Sequence, residues 1–91
     1  MAQLIRADGD TQEVQPQGKA FTQEELQALI GGYIELWQLQ DGRWLVMDED
    51  RPYKQLPIND QATALLAMPG YTIGGPVVVL SAVERKRLRD D

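Results

Sequence analysis

The chain has 91 residues, a mass of 10.2 kDa and a formal net charge of −5, which fits one small globular domain. It contains no cysteine and no histidine, so disulfides, zinc–thiolate sites, thiol nucleophiles and imidazole bases are excluded. Because those residues carry much of known acid–base and metal chemistry, we expect a binding domain with no catalytic residues, no metal site and no cofactor.

Basic residues are sparse along the chain and cluster only at Arg85-Lys86-Arg87 and Arg89, beside acidic residues. A nucleic-acid surface needs clustered cations that release counterions, so binding of nucleic acid is not expected. The cluster is predicted to be a solvated tail or the last turn of a helix, where cations suit the helix dipole. No apolar run approaches the roughly 20 residues of a membrane span, and no signal peptide is apparent. We therefore expect a cytoplasmic protein with no membrane partner.

The N-terminal third is predicted to contain two strands and a helix. Residues 3–7 and 11–15 are the strands, joined by a turn at residues 8–10. The helix is predicted over residues 22–31. Its signals are a capping box, a hydrophobic staple and a terminal glycine pair, formed by Thr22 with Glu25, Phe21 with Leu26, and Gly31-Gly32.

The next two segments, Tyr33–Leu39 and Arg43–Met47, are rich in β-branched and aromatic residues and are predicted to form a hairpin. Asp41-Gly42 between them is the favoured pair for a two-residue type I′ turn. Such a turn would place Glu35 directly opposite Asp48.

Both faces of this predicted hairpin are apolar. One would hold Ile34, Leu36, Leu45 and Met47, and the other Tyr33, Trp37, Leu39, Trp44 and Val46. Three explanations stay open for the face with both tryptophans: cover by the N-terminal strands or the tail, a homodimer interface, or a ligand site. The facing carboxylates of Glu35 and Asp48 indicate either neutralisation by Lys54 or Arg51, or a site for a basic ligand or a hard metal.

The C-terminal half is predicted to contain a loop, a helix and a strand. Residues 48–57 carry two prolines and are predicted to be the loop. Asn59 is expected to cap a helix that continues to about Met68, where Pro69-Gly70 ends it. The unbroken apolar run Val77–Leu80 is predicted to be a central strand buried on both faces.

Together these elements predict an α+β fold, in which a small antiparallel or mixed sheet in the order β-β-α-β-β-α-β is covered by two short helices. The domain is predicted to span residues 1–83. Residues 84–91 are predicted to be a charged C-terminal tail.

A series of short motifs also suggests a family. In order they are Gly32-Tyr33-Ile34-Glu35, Asp41-Gly42, Asp48-Glu49, Leu56-Pro57-Ile58-Asn59 with Ala62-Thr63, and Ile73-Gly75-Pro76-Val77-Val78. Over about residues 20–80 they resemble a group of small domains of unknown function found in phages, prophages, plasmids and their hosts. The chain departs from that group after Asp48-Glu49, where it has Asp50-Arg51-Pro52 rather than a small residue. The resemblance implies a mobile-element context and action by binding, and assigns no catalytic residues.

We therefore predict a non-enzymatic binding domain of mobile-element type that acts through its aromatic sheet face and forms a homo-oligomer, with a host protein or small ligand as a further partner. The alternatives are a sponge for a nucleotide-like ligand and an acidic inhibitor of a host defence protein. A sponge requires a cation from Arg43, Arg51 or Lys54 beside a tryptophan. The candidate binding residues are Tyr33, Glu35, Trp37, Trp44, Asp48, Arg51 and Lys54.

Overall fold

A computed structural model describes residues 2–89. Its elements are β1 (Ala2–Ile5), β2 (Thr11–Val14), α1 (Gln23–Ile30), β3 (Ile34–Gln38), β4 (Trp44–Asp48), α2 (Arg51–Lys54), α3 (Asp60–Leu66), β5 (Val77–Leu80) and α4 (Ala82–Arg87). The strands form one antiparallel sheet of order β2-β1-β5-β4-β3. The predicted α+β class with a single sheet is confirmed, but the order of elements differs in detail because helices also occur at α2 and α4.

Strand β5 lies at the centre of the sheet, between β1 and β4. All four of its side chains are buried. Because helices cover both faces of the sheet, neither side of the central strand meets water, and its sequence has no polar alternation. The prediction of a buried central strand is confirmed.

The core has two layers, one on each face of the sheet. On one face, α1 and Leu88 pack against the sheet, with Phe21, Leu26, Ile30, Val46, Val78 and Leu80 at the centre. On the other face, α3 and the segment before β5 cover the sheet, with Ala62, Leu66, Ile73, Leu45, Met47 and Val77 at the centre. The two predicted helices therefore lie on opposite faces.

Helix α1 has the ends that its sequence predicts. Thr22 Oγ1 accepts from the Glu25 N–H at 3.1 Å, and Glu25 Oε1 accepts from the Thr22 N–H at 3.0 Å. Gly31 closes the helix with a φ of +91°, a conformation that costs glycine little.

The segment predicted as a loop at residues 48–57 contains the single-turn helix α2. Pro52 lies in its first turn, where a missing N–H breaks no helical hydrogen bond. The two prolines therefore allow one turn of helix and prevent a longer one. The loop prediction is wrong at these four residues.

The β3–β4 hairpin has a three-residue connection instead of the predicted two-residue turn. The Leu39 N–H donates to the Arg43 carbonyl at 2.7 Å, and the Gly42 N–H donates to the Leu39 carbonyl at 3.1 Å. Gly42 has a φ of +93°, as in a type I turn followed by a G1 bulge. Asp41 Oδ1 supports this longer turn by accepting from the Arg43 N–H at 3.0 Å.

The longer turn shifts the pairing of β3 and β4 by one residue, so Glu35 lies opposite Met47 and Asp48 opposite Ile34. A one-residue shift moves every β4 side chain to the other face. Trp37 consequently packs on the α3 face and Trp44 on the α1 face. The predicted face with both indole rings, and the predicted opposition of Glu35 and Asp48, are wrong.

Helix α4 includes part of the segment predicted as a tail over residues 84–91. Ser81 caps it through a box with Glu84, and Leu88 packs against the core. Arg89 then pairs with the strand-like backbone before α1: its N–H donates to the Phe21 carbonyl at 2.9 Å. Asp90 and Asp91 lie outside the described residues.

Asn59 is a buried polar residue that joins three elements. Its Oδ1 accepts from the Ala62 N–H at 3.0 Å, which confirms the predicted cap of α3. Its Nδ2 donates to the carbonyls of Ile5 at 3.0 Å and Gly75 at 2.9 Å. Both N–H groups and the oxygen of this buried amide are hydrogen-bonded. The bonds therefore specify one arrangement of α3, β1 and the segment before β5.

We predict that Asn59→Ala lowers the free energy of unfolding by about 2–3 kcal/mol, because a cap is lost and two buried carbonyls lose their donor. Urea unfolding measures the change. Thr22→Ala is the control, since it removes a helix cap only and should cost about 1 kcal/mol. An Asn59→Ala cost no larger than that of Thr22→Ala would contradict the bridging role.

Candidate functional site

Five of the seven predicted binding residues meet at one end of the hairpin, and Arg51 connects them. Arg51 Nη1 donates to Glu35 Oε1 at 2.7 Å and to the Asp48 carbonyl at 3.0 Å. Its guanidinium carbon lies 5.2 Å from the ring centroid of Trp37. Lys54 reaches the same cluster through the Asp48 side chain.

Arg51 is only 8% exposed, so its charge must be satisfied by the protein. Besides its bonds to Glu35 and Asp48, its Nη2 donates to the Tyr71 hydroxyl at 3.1 Å. The rings of Tyr71 and Trp37 lie 5.2 Å apart at an angle of 52°. The guanidinium is thus fixed by hydrogen bonds in its plane and by an aromatic face beside it.

The charges of this cluster reinforce each other. The hydrogen bond from Arg51 holds the pKa of Glu35 below its ordinary value, against the opposing effect of burial. Burial lowers the pKa of Arg51, but its bonds to Glu35 and Tyr71 outweigh that effect and raise it. Both groups are therefore charged in the folded state at neutral pH.

A second ion pair lies beside the first. Lys54 Nζ is 2.8 Å from Asp48 Oδ2, and Asp48 Oδ1 accepts from the Asp50 N–H at 2.8 Å. A Cβ on Gly32 would lie 2.6 Å from Lys54 Nζ, so any other residue there would displace the end of the lysine side chain from its present position beside Asp48. The prediction that Arg51 and Lys54 neutralise the two carboxylates is confirmed, with one cation for each.

The pairing also bears on the predicted sponge, which needs an available cation beside a tryptophan. Arg51 lies beside Trp37, but three of its donor groups are bonded to Glu35, the Asp48 carbonyl and Tyr71. Lys54 is held by Asp48, and Arg43 is held by Asp41 at 2.7 Å in the hairpin turn. The cluster is accordingly a clamp that holds β3, β4 and α2 together.

The other two predicted residues lie apart from the clamp. Trp44 is on the opposite face, with the Arg85 guanidinium 4.9 Å from its ring centroid. Tyr33 precedes β3 and is 69% exposed. Tyr71, a member of the clamp, was missed because nothing in its local sequence distinguishes it from a loop aromatic.

Strand β3 forms one edge of the sheet, which we call the β3 edge, and its backbone defines a second candidate site. The Tyr33 carbonyl accepts from the Glu49 N–H at 2.9 Å, and the Leu39 N–H bonds to Arg43. Backbone groups alternate in direction along an antiparallel strand, so odd-numbered residues face β4. The N–H and C=O groups of Ile34, Leu36 and Gln38 therefore point outward, with no backbone partner among residues 2–89.

The two edges of the sheet differ in protection. Strand β2 is short and mostly exposed, and its outward-facing Glu13 discourages pairing with another strand. Strand β3 contains no lysine and no proline, and its one charged residue, Glu35, is neutralised by Arg51. The β3 edge is the less protected of the two.

Over residues 2–89, no group of three or more acidic side chains is placed to hold a metal ion. In the same range, no helix is long and apolar enough to cross a membrane. Comparisons with protein-family models, curated proteins and solved structures find no match. The resemblance to phage and plasmid domains stays a prediction, and the site is interpreted from its geometry.

We predict that Arg51→Lys destabilises the fold by roughly 2–3 kcal/mol, because a lysine cannot bond Glu35, Asp48 and Tyr71 together while its charge stays beside the Trp37 ring. Urea unfolding measures the loss. Arg43→Lys, at the exposed turn, is the matched control and should change stability by less than about 0.5 kcal/mol. Equal effects of the two substitutions would show that Arg51 is not a clamp.

A second prediction concerns pH. The pKa of Glu35 is lower in the folded state than its ordinary value of 4.5. The charged carboxylate therefore stabilises the fold fully when the pH is above 4.5. This stabilisation is lost as the pH falls through the folded-state pKa. The stability difference between wild type and Glu35→Gln should be constant from about pH 7 to pH 5 and should shrink below that. Unfolding measured across this range tests it, with Glu24→Gln as control. A difference that does not vary with pH would rule out the charged pair as its source.

Proposed function

We propose that the chain is a non-enzymatic, cytoplasmic interaction domain of mobile-element type that forms a homodimer through the β3 edge. The outward backbone groups of Ile34, Leu36 and Gln38 carry this proposal. An unpaired edge strand is a template for a further strand, and its main-chain hydrogen bonds supply the affinity. The predicted homo-oligomer is kept, with a backbone edge in place of an aromatic face.

A second copy fits this edge because antiparallel pairing of two identical strands is self-complementary. If Leu36 lies opposite Leu36 of the second copy, Ile34 lies opposite Gln38. All three residues then form hydrogen-bonded pairs, and each outward N–H and C=O gains a partner in the second copy. The two sheets join into one.

The side chains also suit this register. Glu35 lies opposite Trp37 of the second copy, and each Glu35 is already neutralised by its own Arg51. The neighbouring register that places Glu35 opposite itself would bring two carboxylates together, which is unfavourable. The exposed Tyr33 lies at the end of the same edge and adds contact area there.

The absence of catalysis is supported by the same charges. The sequence lacks histidine and cysteine, and the charged groups of the clamp are bonded to one another. A domain of this kind acts by holding a partner.

Light scattering coupled to size exclusion tests the proposal. We expect wild type to have twice the monomer mass of 10.2 kDa at about 100 μM or below. Gln38→Pro removes an outward N–H but leaves the hydrogen bonds to β4 intact. It should therefore give a folded monomer. Circular dichroism verifies folding, and Gln38→Lys, which weakens edge pairing without changing the backbone, is the second variant.

Glu13→Pro is the matched control, because it removes an outward N–H from the β2 edge and should leave the dimer intact. A monomeric wild type would contradict the proposal. So would a dimer that survives both substitutions at Gln38, or one that dissociates on substitution of Glu13 as readily as on substitution of Gln38.

A further inference from the structure

The basic residues divide into two groups within the described part of the chain. Four of them form ion pairs: Arg6 with Asp10, Arg43 with Asp41, Arg51 with Glu35 and Lys54 with Asp48. The others have no carboxylate within ion-pair distance among residues 2–89, and all but one come from α4 and the residues after it. They are Lys19, Arg85, Lys86, Arg87 and Arg89.

Three of these unpaired cations, Lys19, Arg87 and Arg89, line one cavity of about 470 Å³ together with Ala20. We call it the basic pocket. An adjoining cavity of about 440 Å³ shares Lys19 and Arg89 and extends to the N-terminal end of α1. The three cations converge although Lys19 is far from the others in sequence.

The backbone that carries the two arginines of the basic pocket is held in place. The Arg89 N–H bonds to the Phe21 carbonyl at 2.9 Å, and its carbonyl accepts from the Gln23 N–H at 2.8 Å. Arg87 is the last residue of α4, which a capping box starts at Ser81. A site with a fixed backbone loses less conformational entropy when a ligand binds.

Most of the nearby carboxylates accept hydrogen bonds from backbone N–H groups. Glu25 Oε1 accepts from the Thr22 N–H, and Glu84 Oε1 accepts from the Ser81 N–H at 2.8 Å. Glu24 lines the adjoining cavity and not the basic pocket itself. Among residues 2–89, those that line the basic pocket include no acidic side chain.

We propose that the basic pocket binds a small anion carrying two or three phosphate groups, such as pyrophosphate or the polyphosphate end of a nucleotide. Two guanidinium groups and an ammonium give the forked and point-charge donors that phosphate oxygens accept. The pocket is an open depression lined by exposed cations, and the chain has a net charge of −5. The negative net charge favours a small ligand over nucleic acid, because a long polyanion would also meet the acidic surface. This site is separate from the β3 edge and does not depend on dimerisation.

Titration calorimetry with inorganic pyrophosphate and with tripolyphosphate at about 50 mM salt tests the proposal. We expect one bound anion per chain, with an affinity that falls as salt rises. Arg87→Gln, Arg89→Gln and Lys19→Gln should each weaken binding about tenfold or more. Lys86→Gln is the matched control, because it removes one charge from the same helix but not from the pocket, and should change the affinity less than about twofold. Melting temperatures verify that each variant is folded.

Three results would overturn the proposal. The first is the absence of binding at millimolar pyrophosphate. The second is a loss in Lys86→Gln as large as in Arg87→Gln, which would indicate attraction to net charge alone. The third is a single-stranded oligonucleotide that binds more tightly than tripolyphosphate and depends equally on Lys86 and Arg87, which would indicate a nucleic-acid surface.

Discussion

The register between β3 and β4 determines where the clamp forms and which backbone groups of β3 face outward. The three-residue turn at residues 40–42 sets it, and it decides which face each hairpin side chain occupies. With this pairing, Glu35 and Trp37 share a face and meet Arg51, while Trp44 lies on the other face beside Arg85. The same pairing directs the even-numbered backbone groups of β3 away from the sheet, so the clamp and the edge are two results of one turn.

Local signals in the sequence were sufficient for most of the fold. Capping residues and an unbroken apolar run define α1, α3 and β5 closely, because each signal acts within a few residues. The register of the hairpin could not be predicted in this way. Both of its faces are buried, so hydrophobic alternation does not select between two pairings, and Asp41-Gly42 is compatible with either turn. The predicted two-residue turn therefore placed Trp44 on the same face as Trp37, which is wrong.

The site was predictable where partners are near in sequence and not where they are distant. Arg51 and Lys54 follow Asp48 closely, and their role in neutralising the hairpin carboxylates was predicted. Tyr71 reaches Arg51 only through the tertiary fold, and Lys19 meets the C-terminal arginines only because Arg89 pairs with the backbone before α1. The net charge of −5 also gives no indication of which cations form ion pairs. Among residues 2–89, the cations of the hairpin turn and α2 form ion pairs, and those of α4 and Arg89 do not.

Amide hydrogen exchange at residue resolution reports which backbone groups of β3 are bonded, and so tests its pairing with β4. We expect slow exchange for Glu35, Trp37 and Leu39 at every protein concentration. We expect that Ile34, Leu36 and Gln38 exchange rapidly in dilute protein and slowly in concentrated protein. Slow exchange of the even-numbered amides in dilute protein, with rapid exchange of the odd-numbered ones, would contradict the pairing and everything inferred from it.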